Sequence, residues 1–157
     1  MSKPKVASDW LAGCAGCHMS LLDMDERIIQ LAELADIRAT PITDLKEPDE
    51  EGVDVGVLEG GINNTTNEHV AKVMRKRCKI LVAMGDCAVF GGVPAMRNLF
   101  TIEEALKRAY VETESTDSEG MIPQDEELCR PTKVRAVHGK AVFSDAKKLR
   151  EVNSITT

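Results

Sequence analysis

"VDVGVLEGGINNTTNEHVAKVMRKRCKILVAMGD", Val53 to Asp86, carries the pattern that decides the fold. Val53–Gly61 is an apolar run rich in valine that closes in a glycine pair. Thr65–Cys78 then spaces Val70, Val73 and Met74 at helical intervals and ends in "RKRCK", a basic stretch suited to the negative end of a helix dipole. "KILVAM", Lys79–Met84, is a second apolar run ending in glycine. Strand, helix and strand at these lengths make a βαβ unit, whose two strands run parallel.

The same alternation extends upstream. A strand is expected within Lys5–Leu11, followed by a helix over His18–Ala35 with Leu21, Met24, Ile28, Leu31 and Leu34 on one face. Asp23, Asp25 and Glu26 fall in its first turns, where the helix dipole favours negative charge. "DIRATPIT" reads as a short strand stopped by Pro41, and "DLKEPDEEG" as a polar connection. Downstream, one more amphipathic helix is expected over Thr101–Val111. Glu112–Glu127 then holds seven acidic and no basic residues, the composition of a solvated loop. Val134–Val142 suggests a strand, and the last dozen residues carry no strong pattern. The expected class is α/β, a doubly wound parallel sheet, with the C-terminal part atypical or truncated. Residues 1–112 form the expected principal domain and 113–157 an acidic loop and weakly specified segment.

Composition narrows the function. The formal net charge of −6 provides no clustered positive face for phosphates, and one Trp, one Tyr and three Phe provide few stacking platforms for bases. A nucleic-acid partner is therefore not expected. No apolar window reaches the ~18–20 residues of a membrane span, and "MSKPKVASDW" lacks the apolar core of a signal peptide. The expected location is the cytoplasm, where five cysteines are expected as thiols or metal ligands instead of disulfides.

Ligands of an open α/β sheet bind at the carboxyl ends of its strands. Cys14 and Cys17, in "GCAGCH", follow the first strand at once, and Cys87, in "GDCAVFGG", follows "KILVAM" by three residues. Glu59 ends the strand between them. A redox dithiol would use Cys14 and Cys17 alone and leave Cys87 idle. A structural zinc site usually takes two knuckles, and only one is present. An iron–sulfur cluster suits one close pair with remote partners, in loops whose small residues free backbone N–H groups for the sulfides. That reading is favoured. Cys78 closes a helix and reads as a packing residue. Cys129, beside Arg130 and Pro131, is either an unligated thiol or a further ligand. His18 reads as a capping or hydrogen-bonding neighbour of the site, because His69 and His138 show no spacing that would pair with it.

"GCAGCHMSLLDMDERI", "VGVLEGGINNTTNEHV", "VAMGDCAVFGGVPAMRN" and "EEALKRAYV" resemble, in order, the small subunit of cytoplasmic NAD(P)-reducing, diaphorase-linked [NiFe]-hydrogenases. The cluster-bearing small subunit of respiratory complex I belongs to the same superfamily. The resemblance implies a flavodoxin-like fold holding one [4Fe–4S] cluster on Cys14, Cys17 and Cys87. It implies electron transfer from a Ni–Fe large subunit towards diaphorase flavin and iron–sulfur subunits. It also places Glu59 near the cluster, as an acid able to relay protons or approach an iron; a turn or N-cap carboxylate is the plainer role. The family's fourth ligand lies in an "LPGCPP"-like loop after the segment matching "KVRAVH". Here "GKAVFSDAKKLREVNSITT" follows, with no cysteine. Cys129 or a non-cysteine group completes the site, the cluster is incomplete, or the C-terminus is altered.

No nickel-binding set of four thiolates, G-x-G-x-x-G motif or Walker A motif is present, so the chain is expected to transfer electrons within a complex and not to catalyse alone. FMN is a weaker alternative cofactor, since the first loop is spent on cysteines and few aromatics could sandwich a flavin. Two other function classes stand beside these: a C-x-x-C thiol–disulfide protein, and an interaction subunit that has lost its cluster.

Overall fold

The computed structural model describes residues 2–117, 119–122, 136–137 and 140–141. Its centre is a four-stranded parallel sheet in the order β2-β1-β3-β4. The strands are β1 (Lys5–Trp10), β2 (Asp36–Ala39), β3 (Val53–Glu59) and β4 (Cys78–Met84). Order reversal between β1 and β3 is the mark of a doubly wound sheet, so the fold class expected from the sequence is borne out.

The βαβ unit is as read. α3 (Thr65–Arg77) starts at Asn64, whose side chain accepts from the Asn67 N–H, and ends with Arg75, Lys76 and Arg77 in its last turn. It lies on one sheet face, where Met74 and Ala71 join Ala7, Leu58, Cys78 and Leu81 in the buried core. Cys78 is buried there, as a packing residue.

The other face differs from expectation. The single helix expected over His18–Ala35 is two helices, α1 (Gly16–Leu22) and α2 (Arg27–Leu34). Asp25, at φ 53, breaks them apart, and aspartate is among the residues that best tolerate the left-handed region. Neither helix has an acid in its first turn: Asp23 is the C-cap of α1, and the expected dipole pairing is kept only by Glu26, the N-cap of α2. The break leaves α2 riding high. None of its residues is buried, and a cavity of about 220 Å³ remains between helix and sheet, lined by Leu21, Ile28, Leu31, Ile37, Val57 and Met84.

"GDCAVFGGVPAMRN", expected as a loop, contains α4 (Gly85–Val89) and a 3-10 helix (Val93–Leu99). α5 (Ile102–Tyr110) follows, held by a capping box between Thr101 and Glu104. Within Val134–Val142, Ala136–Val137 (β5) and Lys140–Ala141 (β6) pair antiparallel. The other residues of that expected strand, most of the later part of the acidic segment and Cys129 lie outside the described residues. Among the described residues no helix is long and apolar enough to cross a membrane.

Register is what makes the site. Trp10 pairs with Glu59, and Glu59 with Met84, so β1, β3 and β4 end level with one another. The three segments that follow them emerge side by side from one edge.

Candidate metal centre

Cys14 and Cys17 belong to the turn that leaves β1 and enters α1. Ala15 between them occupies the left-handed region at φ 61, which folds the C-x-x-C segment back on itself. Cys14 is exposed, and Cys17 and Cys87 are half-buried. The Cys17 thiol is pushed up from its ordinary value, first by burial, then by the negative charge of Glu59 and the neighbouring Cys14 and Cys87. Cys87 is pushed up first by burial, then by Cys14 and Asp86; the backbone N–H groups of Cys87 and Val93 act in the opposite sense. The three sulfurs are thus brought together as electrostatic neighbours. Cys78 lies at the opposite edge, at the start of β4.

Each sulfur rests against a glycine. A Cβ on Gly16 would lie 3.2 Å from the Cys14 Sγ, and one on Gly92 would lie 3.1 Å from the Cys87 Sγ. At Gly85, where φ is +84, a Cβ would fall 2.2 Å from the Cys17 Sγ. A side chain at Gly85 would displace the sulfur that meets it. The missing side chains leave room around three thiols and expose backbone, a donor set that fits a cluster of iron and sulfide. Among the described residues no group of three or more His, Cys, Asp or Glu side chains encloses a single metal ion.

Beneath the thiols lies a polar chain that the sequence shows only in part. The Glu59 carboxylate, 2% exposed, accepts from the His18 backbone N–H at 2.6 Å and bonds the His18 Nδ1 at 2.7 Å, both through Oε2. Glu59 therefore caps α1 from a strand 41 residues away in sequence. Ala15, at the N-cap itself, has no side chain for the task. The His18 Nε2 meets the Ser8 Oγ at 2.9 Å, and Ser8 bonds Thr40 at 2.8 Å. Trp10 closes the imidazole off edge-on, with ring centroids 5.8 Å apart. Of the two roles weighed for His18 it is the hydrogen-bonding one that is seen, and Glu59 takes the N-cap role, in one contact. Ser8 and Thr40 were not legible as partners, because single hydroxyls in strands carry no spacing signal.

Comparison with known proteins bears on the same residues. The family model for the NADH ubiquinone oxidoreductase 20 kDa subunit matches residues 14–151, from the first candidate ligand onwards. The chain belongs to this family. The chain is also 39% identical over 139 residues to the NAD-reducing hydrogenase HoxS subunit delta of Cupriavidus necator, covering 87% of this chain and 66% of that one. It is 39% identical over 126 residues to an F420-non-reducing hydrogenase subunit of Methanothermobacter thermautotrophicus, covering 79% of this chain. The chain spans 41% of that relative's length. A crystal structure of NAD+-reducing [NiFe]-hydrogenase in the H2-reduced state superimposes with a TM-score of 0.72 at 37% identity, over 80% of this chain and 69% of the other. The hydrogenase small-subunit resemblance read from the four motifs is therefore borne out, and the chain is a homologue of [NiFe]-hydrogenase small subunits within the 20 kDa subunit family.

Proposed function

We propose that this 20 kDa family member is the electron-transfer small subunit of a [NiFe]-hydrogenase of the NAD-reducing type, and that residues 1–112 form its cluster-bearing domain. The observation that carries the proposal is the convergence of Cys14, Cys17 and Cys87 at one sheet edge, each sulfur against a glycine. The NAD-reducing choice is supported by the likeness to the NAD+-reducing [NiFe]-hydrogenase structure, at a TM-score of 0.72 and 37% identity.

Cys14, Cys17 and Cys87 would hold a [4Fe–4S] cluster, which accepts and donates single electrons at low potential when bound. The fourth place falls to Cys129. Cys78 is committed to the core, and the Glu59 Oε2 is committed to His18. The chain's own contribution is to seat the sulfurs, keep water from two of them by half-burial, and set the local charge through Asp86 and Glu59. Glu59, buried and beside Cys17, is placed to hold or pass a proton near the site. Because burial pushes Cys17 and Cys87 up, loading must displace their protons and so is favoured by rising pH.

The large subunit and the diaphorase subunits are the proposed partners. Phe90, Val93, Met96, Leu99 and Phe100 stand 59–76% exposed directly after Cys87, an apolar ridge suited to docking beside the electron exit. The deciding experiment is anaerobic co-expression with the partner subunits, followed by iron and acid-labile sulfide per chain. About four of each supports a cubane. Cys129→Ser should then lower the count, whereas a wild-type chain without iron that still binds a partner would favour the cluster-free interaction subunit.

A further inference from the structure

We propose that His18 is the positioning residue of the thiol set: its imidazole, strung between Glu59 and Ser8, fixes the first turn of α1 and so holds the Cys17 sulfur against Gly85. The inference rests on the proposed ligand role of Cys17, and it adds the residue that keeps that ligand in place.

His18 is fully buried, immediately follows Cys17, and spends both ring nitrogens and its backbone N–H on the sheet. The Nδ1 and backbone bonds reach β3, and the Nε2 bond reaches β1. Through Ser8 the connection continues to Thr40, just beyond β2. One side chain thereby ties a helix of seven residues to two neighbouring strands and, through Ser8, to the residue that follows a third. α1 needs such a tie. It is too short to be stable alone, it lacks a side-chain cap at Ala15, and His18 is its one buried residue. The other walls of the site are fixed independently: Gly85 and Cys87 follow β4, which is held by its pairing with β3. Cys17 is thus the ligand whose place depends on a side-chain bond, and His18 makes that bond. The imidazole is the fitting group because two acceptors or donors on opposite sides of a rigid ring span the gap between β1 and β3, while an aliphatic residue would leave the buried Glu59 carboxylate with only the backbone N–H, and Ser8 without its partner on the ring.

The test uses the full chain, stripped of iron, with iodoacetamide as the probe and mass spectrometry reading each cysteine. In the wild-type chain Cys14 should react fast, Cys17 and Cys87 slowly, and Cys78 least. His18→Ala should speed Cys17 about tenfold or more, as losing a buried hydrogen-bonded group opens the turn. Cys87 and Cys78 should stay unchanged. His18→Asn, whose amide reaches Glu59 in place of Nδ1, should restore part of the protection, and Ser8→Ala should give an intermediate rate. An unchanged Cys17 rate in His18→Ala, with Cys78 still protected, overturns the proposal. If His18→Ala also opens Cys78, the fold has failed and Ser8→Ala decides: faster Cys17 alone supports the proposal, and no change overturns it. On the loaded complex, His18→Ala should also shift the midpoint potential and the electron paramagnetic resonance spectrum of the reduced chain, and His18→Asn should move both back. A wild-type chain that binds no iron defeats the electron-transfer proposal but leaves the alkylation result to judge His18 by itself.

Discussion

At Gly85 a single methyl group is enough to disturb the site. Gly85→Ala places a Cβ 2.2 Å from the Cys17 Sγ and holds alanine at φ +84. The left-handed backbone alone costs about 1–2 kcal/mol. The expected outcome is a folded chain with reduced iron content, read from urea unfolding beside iron analysis. Asp9 offers a pH test. Burial raises its carboxyl above the ordinary 3.8, outweighing the Trp10 N–H that it accepts. A raised carboxyl means that the folded state holds the proton more tightly than the unfolded chain. The stability linked to that proton is present below 3.8 and is lost as pH rises through the folded value. Asp9→Asn keeps the acceptor and removes the buried charge, so the variant should be more stable than wild type at neutral pH. That advantage should shrink as pH falls towards 3.8, followed by unfolding midpoints across pH. At this scale the cysteines were legible because their placement after strands is a sequence pattern. The Ser8–His18–Glu59 chain was not, since it depends on which strands become neighbours.

Between elements, β3 and α3 meet over Gly56. A Cβ there would lie 2.8 Å from the Met74 Sδ and 2.9 Å from the Cys78 Sγ. Gly56→Ala should destabilise the chain by about 1–3 kcal/mol through overpacking. Adding Cys78→Ala should recover part of that loss, as a double-mutant cycle in urea would show. The strand–helix–strand unit around this contact was readable because its periodicities switch cleanly from one element to the next. The α1–α2 pair was misread as one helix for a physical reason: Leu21, Met24, Ile28 and Leu31 keep helical spacing across the break, and a left-handed turn at Asp25 does not disturb spacing. Apolar order along the chain reports which face is buried, and it is blind to a local reversal of φ. Elements whose sequence signal was weak, such as "GDCAVFGG", take their short helices from the loop's own turns, at lengths below what periodicity can register.

For the whole molecule, the sheet's two faces and two edges carry different duties. The α3 face is closed, while Ile80 and Val82 on β4 remain 47% and 40% exposed on the other. The apolar ridge beyond Cys87 is more exposed still. If that ridge is the docking surface, paired changes Leu99→Ser and Phe100→Ser should weaken co-purification with the large subunit and leave iron per chain unaltered. Equal loss of both would instead tie the ridge to the integrity of the site. The fold class and the convergence of three thiols could be read from the chain alone because they follow from topology. The fourth ligand could not, because the segment after "KVRAVH" departs from its family's pattern.

The level ends of β1, β3 and β4 have a consequence for biogenesis. In a zinc finger the ligands are close in sequence and the metal drives folding of an otherwise unfolded peptide. Here Cys17 and Cys87 become neighbours only after two parallel pairings and their crossovers have formed, which are slow, non-local steps. On the proposed ligand set, the polypeptide builds its scaffold first and receives iron and sulfide last. The proposed cluster would then enter between three segments already in place, with Cys14 the exposed one.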